Sequence, residues 1–318
     1  MNQFIPTLLA AFAFVSITAF AEEFKYSIVP DFFEKDPGGK PLGPCHGGVV
    51  FDKLGNIYIT TDTERGILVF SPEGKFIRSF GPTRIHGLEL REENGVQYIY
   101  GARPADHDVL KLTLDGTIVW TIHYPREAGI DKNQDGFNPC AVTAGPDGSV
   151  YVVDGYGSNF ALKFDKNQKF VKAFGGPGSD EGKFDTCHGI ALDQRQDKPL
   201  LFICNRKNHR VEYWDLDGNF VKVIRNDLRL PSAISFRGNY AIIADLAGRV
   251  TVLDKEGGIV SQIGDNPNES QRANYNVPVD QFKPGICNAP HGAAMDKQGN
   301  IIVTEWNKYG HLHKFTRD

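Results

Sequence analysis

Three histidines that are each followed by a glycine and an apolar residue recur at long intervals in this 318-residue chain: His86, His188 and His291. Neutral imidazole nitrogens are good ligands for transition metals, and three protein ligands with an open fourth position are typical of catalytic zinc sites. The set therefore predicts a metal centre if the fold brings the three segments together, with zinc favoured over iron or copper. The alternative is that His-Gly only opens a strand, with its ring bonded to a neighbouring backbone carbonyl.

A repeated pattern surrounds these histidines and indicates how the fold positions them. Each copy has a short apolar strand, an Asp, a turn with Gly or Asn, a second apolar strand and then further strands, as in residues 140–164. Copies begin near residues 49, 86, 140, 188, 232 and 291. Four short strands per unit are typical of propeller blades. The sequence therefore predicts an all-β, six-bladed β-propeller that occupies residues 22–318 as a single domain.

The two ends of the chain are predicted to meet in one blade. The sixth repeat stops after its third strand, at residues 313–315, close to the C-terminus. An unpaired blade edge leaves backbone donors and acceptors exposed. We therefore expect residues 24–29 to add an N-terminal strand to the last blade and close the ring.

One position per blade is equivalent at the start of the innermost strand, and the six residues there are Gly47, His86, Cys140, His188, Ser232 and His291. The histidines fall in blades two, four and six, about 120° apart around the axis of a six-fold ring. His46 lies one residue farther from its turn, and a one-residue slip reverses the face of a strand. We therefore leave His46 out of the ligand set, although a bulge at Gly47-Gly48 would bring it back.

Other polar residues are expected to have mainly structural roles. Asp62, Asp154 and Asp245 end equivalent second strands and are expected to cap turns. Glu305-Trp306 predicts either an acid and an aromatic at the channel mouth or a packed tryptophan beside a solvated glutamate. The remaining histidines are expected at the surface: His107, His123, His209, His311 and His313.

The N-terminal residues have the features of an export signal. Residues 1–21 carry no charged side chain and end in Ala19-Phe20-Ala21 before Glu22, which is typical of a cleaved signal peptide. The mature protein is then secreted or periplasmic. Because no Lys or Arg precedes the apolar stretch, an uncleaved membrane anchor is the alternative.

The composition limits the partners of the mature chain. The formal net charge is −4, and the scattered basic residues form no stripe for nucleic acid and no polybasic membrane anchor. We expect a monomer that binds a small molecule, a peptide or a glycan at the channel mouth, without membrane contact once the signal is cleaved. The five cysteines are an odd number without close pairs, so at least one thiol is free within the chain.

Several short segments resemble the lyase domain of peptidylglycine α-amidating enzymes and, more widely, NHL-repeat propellers. The similarity extends over nearly the whole mature chain. The segments that carry it most clearly are Ile85-His86-Gly87-Leu88, Asp154-Gly155-Tyr156, Cys187-His188-Gly189, Asn205-Arg206 and Pro290-His291-Gly292.

The resemblance implies a metal-dependent carbon–nitrogen lyase that cleaves peptidyl-α-hydroxyglycine to an amide and glyoxylate. It implies His86, His188 and His291 as zinc ligands, with Tyr156 as the base and Arg206 as the cation that orients the substrate. The chain differs from the family in blade one, where Thr60-Thr61-Asp62 stand in place of a rim arginine, and Arg103 is a candidate replacement. Gly157 stands where the family has the disulfide partner of Cys140.

Calcium is a second cofactor that the sequence raises. The family's structural calcium uses an aspartate after the last zinc histidine, but Gly292 stands there. Residues 131–136 resemble the first half of a calcium loop, yet Val142 occupies the position of the closing acid. A plain Asx-rich turn is therefore favoured over calcium in this segment.

Two other functions remain open from the sequence. One is a non-catalytic NHL-type propeller that binds a peptide or glycan. The other is a lactonase-type hydrolase, which typically uses calcium held by carboxylates and asparagine. Metal identity separates the second from the lyase, because three imidazoles favour zinc over calcium.

Overall fold

The computed structural model describes residues 24–130 and 136–318 and contains six four-stranded antiparallel sheets. The prediction of an all-β, six-bladed β-propeller is therefore confirmed. The predicted signal peptide and all but the last residue of the calcium-like segment lie outside the described residues. Helix is limited in the described parts to short 3-10 turns, which are Pro37–Gly39, Pro104–Asp106, Arg126–Ala128, Glu269–Gln271 and Val279–Gln281.

The strands follow the chain blade by blade, with the innermost strand first in each blade. The N-terminal strand is β1 (Tyr26–Ile28). Blades one to three contain β2 (Cys45–Phe51), β3 (Ile57–Thr61), β4 (Ile67–Phe70) and β5 (Phe76–Phe80); β6 (Gly87–Glu93), β7 (Val96–Arg103), β8 (Asp108–Thr113) and β9 (Ile118–His123); and β10 (Ala141–Ala144), β11 (Val150–Val153), β12 (Phe160–Phe164) and β13 (Phe170–Gly175). Blades four to six contain β14 (Cys187–Asp193), β15 (Leu200–Asn205), β16 (Arg210–Trp214) and β17 (Phe220–Ile224); β18 (Pro231–Arg237), β19 (Tyr240–Asp245), β20 (Arg249–Leu253) and β21 (Ile259–Ile263); and β22 (Pro290–Met295), β23 (Ile301–Glu305) and β24 (His311–Arg317).

The N-terminal strand closes the ring as predicted. Strand β1 pairs antiparallel with β24, and Ser27 lies opposite Thr316 in the register. This pairing supplies the fourth strand of blade six and covers the edge of β24, so the backbone groups on that edge have partners.

The apolar core is a ring of six clusters rather than one central mass. Each cluster fills the space between two adjacent blades; for example, Tyr100 and Val109 of blade two pack against Val152 and Phe164 of blade three. The second and third strands are buried on both faces, which explains their nearly continuous apolar sequence. Because the clusters lie between blades, the axis of the ring is left open to polar side chains.

The aspartate of each Asp-x-x-Gly-Asn turn stabilises the turn by accepting hydrogen bonds from backbone N–H groups that follow it. In blade one the Asp52 carboxylate accepts hydrogen bonds from the backbone N–H groups of Leu54 and Asn56, both at 2.9 Å. Gly55 adopts a φ of +89°, a conformation that is strained for residues with a side chain. The local sequence therefore determines where the first two strands of this blade are joined.

We expect Phe24→Ala to lower the free energy of unfolding by about 3–5 kcal/mol, the usual loss for a buried phenylalanine. Phe24 is buried between blades five and six, and its ring centroid lies 4.9 Å from that of Tyr240. Urea denaturation measures the effect, with the exposed Val221→Ala as the control. A loss of less than about 1 kcal/mol would show that this end of the chain contributes little to closure.

The structure defines the state of the cysteines and the lengths of the helices in the described residues. All five cysteines are buried and free of disulfide bonds, so none of them forms a covalent cross-link between blades. No helix in residues 24–130 or 136–318 is long and apolar enough to cross a membrane.

Candidate functional site

The three predicted histidines meet at one mouth of the central channel. The ring centroids of His86 and His188 are 4.7 Å apart, those of His86 and His291 are 4.6 Å apart, and those of His188 and His291 are 4.9 Å apart. All three side chains are buried, with 1–4% of each residue exposed. Innermost strands from alternate blades therefore bring residues that are about a hundred positions apart in the chain into mutual contact.

His46 lies beside these three rings, so the expectation that its strand turns it away from them is wrong. Its ring centroid lies 4.7 Å from that of His86 and 4.8 Å from that of His291. One ligand atom from each of His46, His86 and His291 falls within a common 4.8 Å, and this set contains His46 in place of the predicted His188. We call the four rings, His46, His86, His188 and His291, the imidazole cluster.

A β-bulge explains why His46 reaches the cluster. Cys45 pairs with Thr61 and Val49 pairs with Ile59, so β2 contains two extra residues where the corresponding bulge in blade four contains one. The bulge that the sequence offered as the alternative is therefore present. The similarity of Cys45-His46-Gly47 to the corresponding segment of blade four is the sequence signal that could have revealed it.

Backbone carbonyls fix the tautomers of two rings in the cluster. The Nδ1 atom of His86 lies 2.8 Å from the carbonyl oxygen of Cys140, and that of His188 lies 2.6 Å from the carbonyl oxygen of Ser232. Since a carbonyl only accepts, each Nδ1 donates its proton and each Nε2 presents a lone pair. Metal-binding histidines commonly make such a hydrogen bond through one ring nitrogen, and it aims the other nitrogen at the metal.

Some ring nitrogens of the imidazole cluster have no hydrogen-bond donor for their lone pairs. The Tyr156 hydroxyl lies 3.2 Å from His86 Nε2 and 2.9 Å from His188 Nε2, but it can donate to only one of them. Neither nitrogen of His291 has a hydrogen-bond partner. A buried polar atom without a partner costs about 1–3 kcal/mol.

Protonation of the imidazoles does not supply the missing hydrogen-bond donors at neutral pH. Burial first, and then the neighbouring imidazoles and Arg206, hold the pKa of His86, His188 and His291 well below the usual range for histidine. A bound metal cation would instead accept the lone pairs that remain. The donor set therefore fits a transition metal that prefers imidazole nitrogen.

Tyr156 reaches the cluster from the turn after β11. The Asp154 carboxylate accepts hydrogen bonds from the backbone N–H groups of Asn138 and Ser158, at 2.7 and 2.9 Å, which confirms the turn-capping role predicted for this aspartate. A Cβ atom on Gly155 would lie 1.9 Å from a carbonyl oxygen of blade four. Glycine is therefore required at this point for the turn to approach the next blade and present Tyr156.

Arg206 lies beside Tyr156. Its Nη1 atom donates a hydrogen bond to the Tyr156 hydroxyl at 3.1 Å, and its guanidinium carbon lies 5.2 Å from the centre of the tyrosine ring. Burial of the hydroxyl raises the pKa of Tyr156 to about 12, and the nearby Arg206 opposes this rise. The tyrosine is therefore protonated at neutral pH in the absence of a bound cation.

Arg103 does not lie with Tyr156 and Arg206 at the imidazole cluster. Its guanidinium makes a two-pronged salt bridge to Asp108, with distances of 2.8 and 2.5 Å, and a longer contact to Asp106 at 3.5 Å. These carboxylates account for its charge within its own blade. In the part of the chain that the structure describes, no hydrogen bond joins Arg103 to the imidazole cluster or to Tyr156.

An aromatic wall that sequence reasoning only partly anticipated borders the cluster. The rings of His46 and Trp306 stack with centroids 5.8 Å apart and planes inclined by 24°. Tyr275 packs against Trp306 at 5.1 Å. On the other side of His46, its Nδ1 atom lies 3.4 Å from the Asp62 carboxylate. Trp306 therefore lies at the mouth, whereas Glu305 is fully buried beneath it, so neither predicted placement of Glu305 is correct.

The surface assignment of His313 is also wrong, because only 3% of this residue is exposed. Sequence position on a third strand suggested an outward-facing group. Strand β24 is instead covered by β1, and His313 Nε2 donates a hydrogen bond to Glu305 Oε1 at 2.6 Å.

The channel continues beneath the imidazole cluster. A small cavity of about 40 Å³ lies directly against His86, His188 and His291, enough for a water molecule. A wider funnel of about 820 Å³ opens at the opposite end of the channel, between the far ends of the innermost strands. The cluster thus separates a loop-rich mouth from an open channel.

No family model matches the chain. Solved structures similar to it include a streptogramin B lyase, which is 16% identical, with 93% of this chain and 98% of that chain covered and a TM-score of 0.61. A catalytically inactive histidine-to-alanine variant of virginiamycin B lyase from Staphylococcus aureus with quinupristin is 16% identical, with 92% and 99% covered and a TM-score of 0.60. A gluconolactonase from Xanthomonas campestris is 11% identical, with 87% of each chain covered and a TM-score of 0.59. At these identities the similarity shows a shared propeller fold, and the resemblance to amidating lyases stays a prediction.

Proposed function

We propose that this protein is a metal-dependent lyase, with zinc as the metal and a small hydroxylated substrate such as peptidyl-α-hydroxyglycine. The observation that carries the proposal is the convergence of buried imidazoles that lack enough protons for their lone pairs. His86, His188 and His291 would hold the metal, and His46 faces the same space. The metal would supply a Lewis acid that polarises a substrate oxygen.

The chain's own residues support proton transfer beside this metal. The Tyr156 hydroxyl lies against two ring nitrogens and receives a hydrogen bond from Arg206. A metal cation held by those nitrogens would favour the phenolate form of Tyr156, which could take a proton from the substrate and return it. In the proposed reaction the substrate O–H and C–N bonds break, a C=O bond forms, and the proton moves to the amide nitrogen. The products are a primary amide and glyoxylate, and no oxidant is needed.

Arg206 is the residue suited to bind the substrate carboxylate. Its guanidinium has further N–H groups beyond the one that bonds Tyr156, because arginine carries five donors. A carboxylate held there would keep the hydroxyl-bearing carbon next to Tyr156. This assignment follows the family resemblance and agrees with the position of Arg206 at the mouth.

The solved neighbours are compatible with a lyase, although they share only the fold at this level of identity. Two of them are named as lyases, and one of those is catalytically inactive after a histidine-to-alanine change. The gluconolactonase leaves a hydrolase as the alternative. The ligand atoms that converge here are imidazole nitrogens, whereas calcium prefers oxygen, and this favours the lyase.

A substrate panel tests the proposal. The purified, zinc-loaded protein is incubated with a peptidyl-α-hydroxyglycine, with quinupristin and with a gluconolactone, and products are followed by mass spectrometry. The proposal predicts glyoxylate release from the first that disappears after chelation. Lactone opening that requires calcium would favour the hydrolase, and peptide or glycan binding without turnover would favour the non-catalytic propeller.

A further inference from the structure

The three buried histidines of the cluster are not held in the same way. His86 and His188 each donate a hydrogen bond from Nδ1 to a backbone carbonyl oxygen of the next blade. The acceptors are Cys140 and Ser232, respectively. The carbonyl in the corresponding place beside Gly292 belongs to Gly47. That oxygen accepts a hydrogen bond from the Thr304 hydroxyl at 2.8 Å, and neither nitrogen of His291 has a partner. Something other than a ring hydrogen bond must therefore fix His291.

Glu305 holds the backbone immediately before His291. The backbone N–H of Asn288 lies 3.1 Å from Oε1 and 3.0 Å from Oε2 of the Glu305 carboxylate, and that of Ala289 lies 3.3 Å from Oε2. These two residues precede Pro290, the first residue of β22, and His291. A fully buried carboxylate thus anchors the segment from which the His291 side chain projects.

Histidines, rather than an arginine or lysine, support this carboxylate. His313 Nε2 lies 2.6 Å from Glu305 Oε1, and His311 Nδ1 lies 3.6 Å from the same oxygen. Burial alone would raise the pKa of Glu305, but the neighbouring His311 and His313 imidazoles more than offset it and hold the pKa below the usual range, while burial lowers the pKa of His313 itself. Glu305 is therefore an ionised acceptor for the backbone N–H groups.

We propose that Glu305, supported by His313, is a positioning residue that fixes His291 in the imidazole cluster. The proposal rests on the metal-dependent function described above. Glu305 replaces, for His291, the constraint that ring-to-carbonyl bonds provide for His86 and His188. Outer partners of this kind typically change metal affinity about 10–100-fold when they are removed.

Blade four contains a buried carboxylate that separates this role from ordinary stabilisation. Asp193 ends β14 and accepts the backbone N–H of Arg195 at 2.9 Å. Its buried carboxylate is likewise held by the third strand of its blade, through the Tyr213 hydroxyl at 2.8 Å. His188 lies at the other end of β14, so Asp193 does not border the imidazole cluster.

Cys287 raises an alternative that the experiment must distinguish. One ligand atom from each of Cys287, Glu305 and His313 falls within a common 4.8 Å, so the three could form a second metal site. The short His313 contact and the two backbone N–H groups already use both oxygens of Glu305. The geometry thus favours a hydrogen-bonded anchor.

The test compares the zinc affinity of Glu305→Gln with that of Asp193→Asn, each in the full chain, by competition with a coloured chelator. Both variants lose a buried carboxylate and should unfold more easily than the wild type. We expect Glu305→Gln to bind zinc about 10–100-fold more weakly and Asp193→Asn to stay within about threefold of the wild type. Equal losses, or no loss in Glu305→Gln, would overturn the proposal.

Two further measurements keep the result decisive. If Glu305→Gln does not fold, His313→Gln leaves the carboxylate in place and should give a smaller loss of affinity in the same direction. If the wild type binds no zinc, the proposed function fails, but amide hydrogen exchange still tests the anchor: exchange at Asn288 and Ala289 should accelerate in the variant. Unchanged exchange there, or a second equivalent of zinc that Cys287→Ser abolishes, would contradict the positioning role.

Discussion

Tyr156→Phe is expected to slow lyase turnover by about 10²–10⁴-fold, the usual contribution of a positioned acid or base. The change removes the hydroxyl that lies between His86 and His188 and that Arg206 contacts, while the ring that lies against the histidines is kept. Metal content should therefore remain at the wild-type level. The measurement is kcat for glyoxylate release from the zinc-loaded protein, with metal content determined on the same sample.

Tyr275→Phe is the matched control, because Tyr275 belongs to the aromatic wall at the same mouth and contacts Trp306 rather than the histidines. Its turnover should stay within about threefold of the wild type. Wild-type turnover in Tyr156→Phe would remove this hydroxyl from the reaction. Loss of metal in that variant would show that Tyr156 helps to hold the cation instead.

Arg206→Gln is expected to lower kcat/KM about 10–150-fold for a substrate with a free carboxylate, which corresponds to about 1.5–3 kcal/mol for a hydrogen bond to a charged group. The loss should be much smaller for the methyl ester of the same substrate, because the ester lacks the negative charge. The comparison of the two substrates separates binding of the carboxylate from a general disturbance of the site.

Arg103→Gln provides the control for this prediction. Arg103 is engaged by Asp108 and Asp106, so its replacement should reduce stability while the ratio of kcat/KM between acid and ester is preserved. If Arg103→Gln, and not Arg206→Gln, abolished the preference for the acid, the substrate carboxylate would have to bind beside blade two and not beside Arg206.

Much of the fold was accessible from the sequence because the information is local. The Asp52 turn, the continuous apolar second and third strands and the incomplete sixth repeat each follow from residues that lie close together in the chain. Six similar units then leave little choice of architecture, since each must bury its faces against its neighbours. The same alignment predicted that His86, His188 and His291 would meet.

The features that the sequence did not reveal depend on contacts between distant residues. His46 enters the cluster because β2 contains an additional bulged residue, and strand patterns do not report the length of a bulge. Glu305 and His313 are buried because blade six uses imidazoles where blade five uses Arg249 beside Asp245. A charged residue at the end of a strand is more often exposed, so the exception becomes visible only in three dimensions.

The most direct test of the central claim is the metal content of the purified protein, measured by inductively coupled plasma mass spectrometry. The comparison is with a variant that carries His86→Ala, His188→Ala and His291→Ala. The account predicts close to one equivalent of zinc per chain in the wild type and a loss of that metal in the variant. A wild-type protein without transition metal after metal-replete preparation, or a variant that keeps its zinc, would contradict it.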